Sequence, residues 1–137
     1  MVGCCKALSA HVFLFPTRES GWSEIEFIHV YTSVNVYSRC LLLLQSHLFH
    51  LPVNSKEVAD YHRIVTKPMD LQTMKTKIRE RKYESREVFL ADVHQIYENS
   101  RIYNGLKSVL TLTAQKMVDL TLCRFAEVRN DMRRSTN

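Results

Sequence analysis

The chain has 137 residues, which is enough for one domain with a buried core and hardly enough for two. It is 45% hydrophobic and 24% charged, as in ordinary globular domains, and its low counts of 3 Gly and 3 Pro favour helices. The net charge of +5 comes entirely from residues 47–137, which carry 16 basic and 11 acidic residues against 3 and 3 before them. No apolar run reaches the length of a membrane span, so we expect no membrane contact.

Residues 1–46 are the least organised part of the sequence. Ile25, Phe27, Val34 and Val36 alternate with polar residues in the manner of a strand, which argues against a long amphipathic helix. The only helix that this part predicts is a short one over residues 36–45. We therefore expect a poorly defined N-terminal extension over residues 1–46, contributing at most a short first helix, and one domain over residues 47–134.

A long connection over residues 47–67 comes next. It contains Phe49, Val53, Val58 and Tyr61 and is too apolar for an ordinary solvated loop. Connections of this kind usually pack on the domain and often carry function. A short turn of helix is expected over residues 57–63.

Three amphipathic helices follow this connection. The first is expected to begin at Pro68-Met69-Asp70, because proline fits a first turn and a carboxylate suits the positive end of the helix dipole, and to end near Lys82. Ser85 and Ser108 are the expected caps of the other two. The inner face of the second is predicted to contain Phe89, Val93, Ile96 and Ser100. The inner face of the third is predicted to contain Ala114, Val118, Leu122, Phe125, Val128 and Met132. Three helices with narrow apolar stripes predict an α-helical bundle.

The second of these helices stops at Asn104-Gly105. Both residue types tolerate the left-handed backbone that ends a helix, so a simple stop explains the pair. The other interpretation is that the Asn104 side chain holds a ligand. That interpretation needs support from the rest of the chain.

Four segments provide this support, since in this order they resemble the landmarks of a bromodomain. They are Phe49-His50-Leu51-Pro52-Val53, Asp60-Tyr61-His62-Arg63-Ile64, Lys67-Pro68-Met69-Asp70-Leu71 and Tyr103-Asn104-Gly105. The resemblance runs from about His47 to Met132. It implies an all-α, left-handed four-helix bundle with a long loop before the second helix, an atypical or incomplete first helix, and a pocket for acetylated lysine at one end.

The resemblance also implies roles for individual residues. Asn104 matches the position whose amide holds the acetyl group, and Tyr61 matches the tyrosine that reaches the same carbonyl through a water. The other pocket positions are matched by Phe49, Val53, Val58, Tyr103 and Leu110, of which the last is the gatekeeper. The chain departs from the family at His47-Leu48-Phe49, where many members have Trp-Pro-Phe, so the aromatic shelf beside the pocket is diminished.

These residue types suit the recognition of acetyl-lysine. Acetylation turns a hydrated ammonium into a neutral amide with a methyl group, so the site needs an apolar slot and one donor, which Asn supplies and Asp does not. Excluding a charged lysine contributes several kcal/mol, whereas one net hydrogen bond contributes about 0.5–1.5 kcal/mol. With one side chain buried, we expect roughly micromolar affinity. The expected partners are acetylated histone tails or other acetylated nuclear proteins, bound by a monomeric module in the nucleus.

Other interpretations of the same residues remain open. Tyr61 and Tyr103 fit half-buried tyrosines at the edge of a core, and the apolar pocket positions fit simple core residues. A degenerate bromodomain that binds a protein partner without acetyl-lysine is one alternative function. Another is a helical module that contacts nucleic-acid phosphates without sequence preference. Its basic residues would be Lys75, Lys77, Arg79, Arg81 and Lys82, which also fit a solvated helix end.

Catalysis, metals and cofactors are not expected. His47 and His50 are three residues apart, but no third ligand stands at a suitable spacing. The chain has no Gly-rich phosphate loop, and no nucleophile is paired with a base. Cys4, Cys5, Cys40 and Cys123 lack the spacing of a metal site and are expected to be reduced thiols.

Overall fold

The computed structural model describes residues 23–43 and 46–136. In these residues the regular structure is entirely helical, and it consists of α1 (Glu24–Leu41), a 3-10 turn (Ser46–Phe49), α2 (Tyr61–Ile64), α3 (Leu71–Arg79), α4 (Arg86–Asn104) and α5 (Val109–Ser135). The longest packed interface joins α4 to α5, and α1 packs on α3, α4, α5 and the 3-10 turn. The four longer helices form a bundle with a long connection between the first two, which confirms the predicted fold class.

The first helix is longer than the sequence predicts. Ser23 caps it, since the Ser23 N–H donates to Glu26 Oε2 over 2.9 Å and the Glu26 N–H donates to Ser23 Oγ over 3.3 Å. The strand-like interpretation of this segment is therefore wrong, and of the described part of the short helix expected over residues 36–45 only residues 36–41 belong to a helix, as the end of Glu24–Leu41. Residues 1–22, 44 and 45, also part of the predicted extension, lie outside the described residues.

Burial on several sides explains why the helical period of α1 is hidden. Val34 and Val36 are 1% and 0% exposed, although residues two apart point to widely separated sides of a helix. Thr32 and Ser33 are buried beside them, and the Thr32 hydroxyl donates to the carbonyl of Ile28 over 2.6 Å. A helix buried on more than one side lacks a single apolar stripe, so the alternation in the sequence resembles a strand.

The connection before α3 is fastened to the bundle by backbone and side-chain hydrogen bonds. The N–H of Gln72 donates to the carbonyl of His50 over 3.0 Å. Asn99, which is 3% exposed, donates through Nδ2 to the carbonyl of Lys67 over 2.7 Å, and its Oδ1 accepts from Gln95 Nε2 over 2.8 Å. The helical turn expected over residues 57–63 is observed as α2, Tyr61–Ile64, so it begins four residues later than predicted. These contacts hold the connection against α3 and α4.

The predicted helix starts at Ser85 and Ser108 are confirmed by their caps. The helix expected from Pro68 starts later than predicted, since Asp70 is its cap, Leu71 is its first helical residue and Pro68 lies before it. Asp70 Oδ1 accepts from the Thr73 N–H over 2.8 Å, and Ser85 and Ser108 each accept a backbone N–H over 3.3 Å. The helix that Asp70 caps ends at Arg79 rather than near Lys82. The chain turns there through Arg81, whose φ is 56°.

The core lies between the four long helices. All four predicted inner residues of α4 are buried, and so are Ala114, Val118 and Phe125 of α5. Leu122 and Met132 are 49% and 39% exposed, so their prediction as inner residues is wrong. The buried face of α5 passes through Thr121 instead of Leu122. Phe125 packs beside Arg86, the first residue of α4, so the last part of α5 extends beyond α4.

Candidate functional site

Asn104 is the last residue of α4 and is exposed to solvent. Gly105 follows with φ 87° and ψ 159°, a backbone conformation that is essentially restricted to glycine, and its N–H donates to the carbonyl of Arg101 over 3.1 Å. The predicted helix stop is therefore confirmed. Because the helix ends here, the Asn104 amide lies at the end of the bundle beside the turn that leads to α5.

Three hydrogen bonds connect the Asn104 amide to the interior. Nδ2 of Asn104 donates to Ser100 Oγ over 3.0 Å, and Ser100 Oγ lies 3.0 Å from Thr111 Oγ1. The hydroxyl of Thr111 donates to the carbonyl of Gly105 over 2.8 Å. Ser100 and Thr111 are only 3% and 1% exposed, so the exposed amide is supported by a buried polar pair.

The two predicted site tyrosines are in contact. The rings of Tyr61 and Tyr103 meet edge to face with their centroids 5.0 Å apart. The Tyr103 hydroxyl donates to Asp60 Oδ1 over 3.0 Å, and this hydrogen bond raises the pKa of Tyr103. Burial, followed by the charge of Asp70, raises the pKa of Tyr61. Both phenols are therefore neutral near pH 7, when they can donate hydrogen bonds.

The predicted apolar wall residues are half-buried rather than fully enclosed. Phe49 packs against the core from the 3-10 turn, which itself contacts α5. Val53 and Val58 lie in the connection, where the Val58 N–H donates to the carbonyl of Asn54 over 3.0 Å. Leu110, in the first turn of α5, is half-buried as well. Half-burial is compatible both with a pocket wall and with the edge of a core.

Sequence reasoning missed three residues beside the predicted ones. Asp60 was visible only as the neighbour of Tyr61, Ser100 only as an inner residue of α4, and Thr111 not at all. The available signal for Ser100 was its position four residues before Asn104, because residues at that spacing share a helix face. The contact of Asp60 with Tyr103 spans 43 residues of sequence, so local spacing does not reveal it.

Other features of the described residues do not extend this site. A shallow cavity lined by Val30, Ser33, Ile78, Arg81 and Tyr83 contains none of the predicted site residues. Since Tyr83 precedes α4 and Asn104 ends it, roughly 27 Å of helix separates the two ends. The cavity therefore belongs to another part of the bundle.

The basic cluster on and after α3 is partly neutralised. Lys77 Nζ lies 2.7 Å from Asp92 Oδ2, and Lys82 Nζ lies 2.6 Å from Glu80 Oε2. The Tyr83 hydroxyl donates to the same Asp92 oxygen over 2.7 Å. These ion pairs reduce the net charge of the cluster, and the predicted nucleic-acid contact has no support from the structure.

Within residues 23–43 and 46–136, no group of three or more His, Cys, Asp or Glu side chains is arranged to hold a metal. His50 lies 3.3 Å from Ser46 Oγ through its Nε2, and burial lowers its pKa. Cys40 is buried, which raises its pKa to about 12, whereas Cys123 is exposed and Cys4 and Cys5 lie outside the described residues. None of the helices in this part of the chain has the length and apolar character to cross a membrane.

Comparison with known proteins identifies the family. The family model described as Bromodomain matches residues 43–116, which is more than half of the chain. The chain belongs to the bromodomain family. The family supports a chromatin- and transcription-linked binding module rather than an enzymatic domain.

Relatives of this bromodomain include TFIID subunits. Transcription initiation factor TFIID subunit 1 of Drosophila melanogaster is 61% identical over 69 residues, covering 50% of this chain and 3% of that protein. The subunit of the same name from Caenorhabditis elegans is 42% identical over 93 residues, covering 68% of this chain and 5% of that protein. The chain thus spans only a small part of these relatives.

Histone acetyltransferase GCN5 of Debaryomyces hansenii is 34% identical over 108 residues, covering 72% of this chain and 24% of that protein. Its similarity is limited to the bromodomain region. Three segments of this bromodomain, Pro52-Val53-Asn54, Pro68 to Thr73 and Tyr83 to Glu87, resemble the second of the paired bromodomains in the largest TFIID subunit. The TFIID subunit 1 matches confirm that resemblance to the subunit.

Proposed function

We propose that this bromodomain reads acetyl-lysine, with Asn104 as the donor to the acetyl carbonyl. The observation that carries the proposal is an exposed side-chain amide at the end of α4, on the residue that follows Tyr103, whose ring contacts that of Tyr61. One N–H of the amide is used by Ser100, so the other remains for a ligand carbonyl. Tyr61 would reach the same carbonyl through a water.

The surrounding residues suit a neutral acylated side chain. Phe49, Val53, Val58 and Leu110 are half-buried apolar residues that would take the methyl group and the alkyl stem. The nearby carboxylate of Asp60 already accepts the Tyr103 hydroxyl. An unmodified lysine would have to give up its hydration without gaining a dedicated partner, which costs several kcal/mol. The charge of the substrate would therefore be the main basis of discrimination.

The partners we propose are acetylated histone tails or other acetylated nuclear proteins, bound during regulation of transcription in the nucleus. The similarity to TFIID subunit 1 supports this setting. We also propose that the working unit includes α1 together with residues 47–134, because α1 packs on three other helices of the bundle. No residue of this unit is proposed to act as a catalyst.

A titration followed by calorimetry tests the proposal with an acetylated histone H4 tail peptide and its unmodified counterpart. We expect the acetylated peptide to bind with roughly micromolar affinity and the unmodified peptide to bind far more weakly. Asn104→Ala should lose the acetyl-dependent binding while keeping the melting temperature of the native chain, because Asn104 is exposed.

A wider panel of acetylated peptides tests whether a failure to bind the H4 tail reflects only the sequence of that peptide. If the folded native chain binds no member of the panel, the reader proposal fails and a scaffold for protein partners takes its place. The departure at His47 and Leu48, both exposed, is the structural feature that favours this second function. Equal binding of acetylated and unmodified peptides would also contradict the proposal.

A further inference from the structure

The hydrogen bonds beneath Asn104 have a direction that follows from counting protons. The carbonyl of Gly105 can only accept, so the single hydroxyl proton of Thr111 is donated across the 2.8 Å contact to it. In the 3.0 Å contact between Ser100 Oγ and Thr111 Oγ1, the proton must therefore come from Ser100. Ser100 then has no proton left for Asn104, so Asn104 must donate to Ser100.

This direction fixes the orientation of the Asn104 amide. An isolated Asn side chain can exchange the positions of its NH₂ group and its oxygen by a half-turn about the last side-chain bond. Here the oxygen would face an Oγ atom that offers no proton, and two acceptors would meet. The NH₂ group therefore stays toward Ser100, and the oxygen stays on the other edge.

We infer that Ser100 and Thr111 are positioning residues, which act through Asn104 to set the edge of the amide that meets an acetyl carbonyl. The inference rests on the proposed acetyl-lysine function and deepens it. An acetyl-lysine amide offers one acceptor, its carbonyl, and one donor, its N–H, so exchanging the two edges of Asn104 mismatches both groups. The buried hydroxyls thus specify the polarity of the site without touching the ligand.

The buried environment makes the arrangement durable. Ser100 and Thr111 are 3% and 1% exposed, so water competes poorly for their protons. The acceptor of the Thr111 hydroxyl, the Gly105 carbonyl, belongs to the residue that follows α4, and the backbone conformation of that residue requires glycine. The end of α4, the first turn of α5 and the exposed amide are therefore held by one series of hydrogen bonds.

The test replaces Thr111 by Val, which keeps the shape of the side chain and removes the hydroxyl. Ser100 would then lose its acceptor, and its buried hydroxyl could donate only to the oxygen of Asn104, so the reversed orientation of the amide would become the favoured one. We expect Thr111→Val to weaken binding of an acetylated H4 tail peptide by about tenfold, which corresponds to a binding-competent orientation populated about one tenth of the time.

Thr121→Val is the matched control. Thr121 is also buried on α5 at 0% exposure, and its hydroxyl donates to the carbonyl of Met117 over 2.7 Å without a link to Asn104. We expect this variant to bind the acetylated peptide within about twofold of the native chain, because its site is unchanged. If both variants weaken binding equally, the Thr111 effect is one of general stability and the inference is overturned.

A second measurement does not depend on binding. In the free ¹⁵N-labelled native chain, nuclear Overhauser effects should connect the side-chain NH₂ protons of Asn104 to the β protons of Ser100. They should weaken in Thr111→Val and persist in Thr121→Val. Their absence from the native chain overturns the inference, even if Asn104→Ala abolishes peptide binding. If they are present and no acetylated peptide binds, the amide orientation is upheld, while the reader function and the positioning role that rests on it are overturned.

Discussion

The two sides of the candidate site are held in place by different means. On the helix side, Asn104 is joined through Ser100 and Thr111 to a backbone carbonyl by one buried and two partly buried hydrogen bonds. On the loop side, Val53 and Val58 are half-buried in a connection whose local bonds span a few residues. The comparison teaches that folding of the bundle itself orients the polar group. The apolar walls depend on how the connection is fastened to α4.

The largest expected effect comes from removing the hydrogen bonds that join the connection to α4. Asn99→Ala removes the donor to the Lys67 carbonyl and the acceptor for Gln95, so we expect a loss of about 2–3 kcal/mol in the free energy of unfolding. Urea denaturation measures it. Asn130→Ala, the same replacement at an exposed site on α5, should change stability by about 0.5 kcal/mol or less. Similar losses in the two variants would show that Asn99 is not a special anchor.

Gly105→Ala should strain the backbone on the helix side of the site and leave the loop side unchanged. Its φ of 87° and ψ of 159° are strained for any residue with a Cβ, although the added atom itself meets no neighbour within 4 Å. We expect a loss of about 1–2 kcal/mol in the free energy of unfolding, together with weaker binding of acetylated peptide. Thermal and urea denaturation measure the first effect. The exposed change Lys107→Ala in the same turn should leave stability unaltered, and an equally stable Gly105→Ala chain would refute the strain argument.

His47→Trp should strengthen binding of the acetylated peptide through the loop side of the site. His47 is exposed at the point where many family members have Trp, so an aromatic ring there would add apolar surface beside the ligand. We expect the acetylated peptide to bind about three to ten times more tightly, as measured by calorimetry. Ser55→Trp places the same side chain on another exposed position of the connection and should not tighten binding. Unchanged affinity in His47→Trp would mean that this position does not border the ligand.

The smallest expected effect concerns the contact between the two sides. The hydrogen bond to Asp60 raises the pKa of Tyr103 above the ordinary tyrosine value, so the neutral phenol is the stabilised form. This contribution is complete below the ordinary tyrosine pKa and is lost as the pH rises through the raised pKa of Tyr103.

Carbon-13 NMR of the tyrosine rings measures this titration. Asp60→Asn should lower the pKa of Tyr103 toward its ordinary value and leave Tyr83, whose pKa is raised by burial and by its bond to Asp92, unaffected. A Tyr103 titration that is the same in both chains would contradict the hydrogen bond.

Whether a feature depends on local or on distant residues explains how much of the fold the sequence could predict. The caps at Asp70, Ser85 and Ser108 and the stop at Gly105 are local, and all four were predictable from residue type and spacing. The full length of the first helix was not predictable. Because α1 is buried on several sides, it lacks the single apolar stripe at a helical period that identifies a helix in a sequence.

The candidate site divides in the same manner. Resemblance to the family supplied Asn104 and its neighbours, and their role in binding stays a prediction. The contacts of Asp60 with Tyr103 and of Ser100 with Thr111 join residues that are distant in sequence or hidden among inner positions. Hydroxyl directions depend on which acceptors folding brings together, and no pattern of residue types encodes that.

A neutron crystal structure of the chain with an acetyl-lysine peptide is the most direct test of the central claim, because it distinguishes the NH₂ group of an amide from its oxygen. The account predicts the acetyl carbonyl about 2.9 Å from Asn104 Nδ2, with the same nitrogen still bonded to Ser100 Oγ. It also predicts the methyl group among Phe49, Val53, Val58 and Leu110. An acetyl group bound elsewhere on the bundle, or an Asn104 amide whose oxygen faces Ser100, would contradict it.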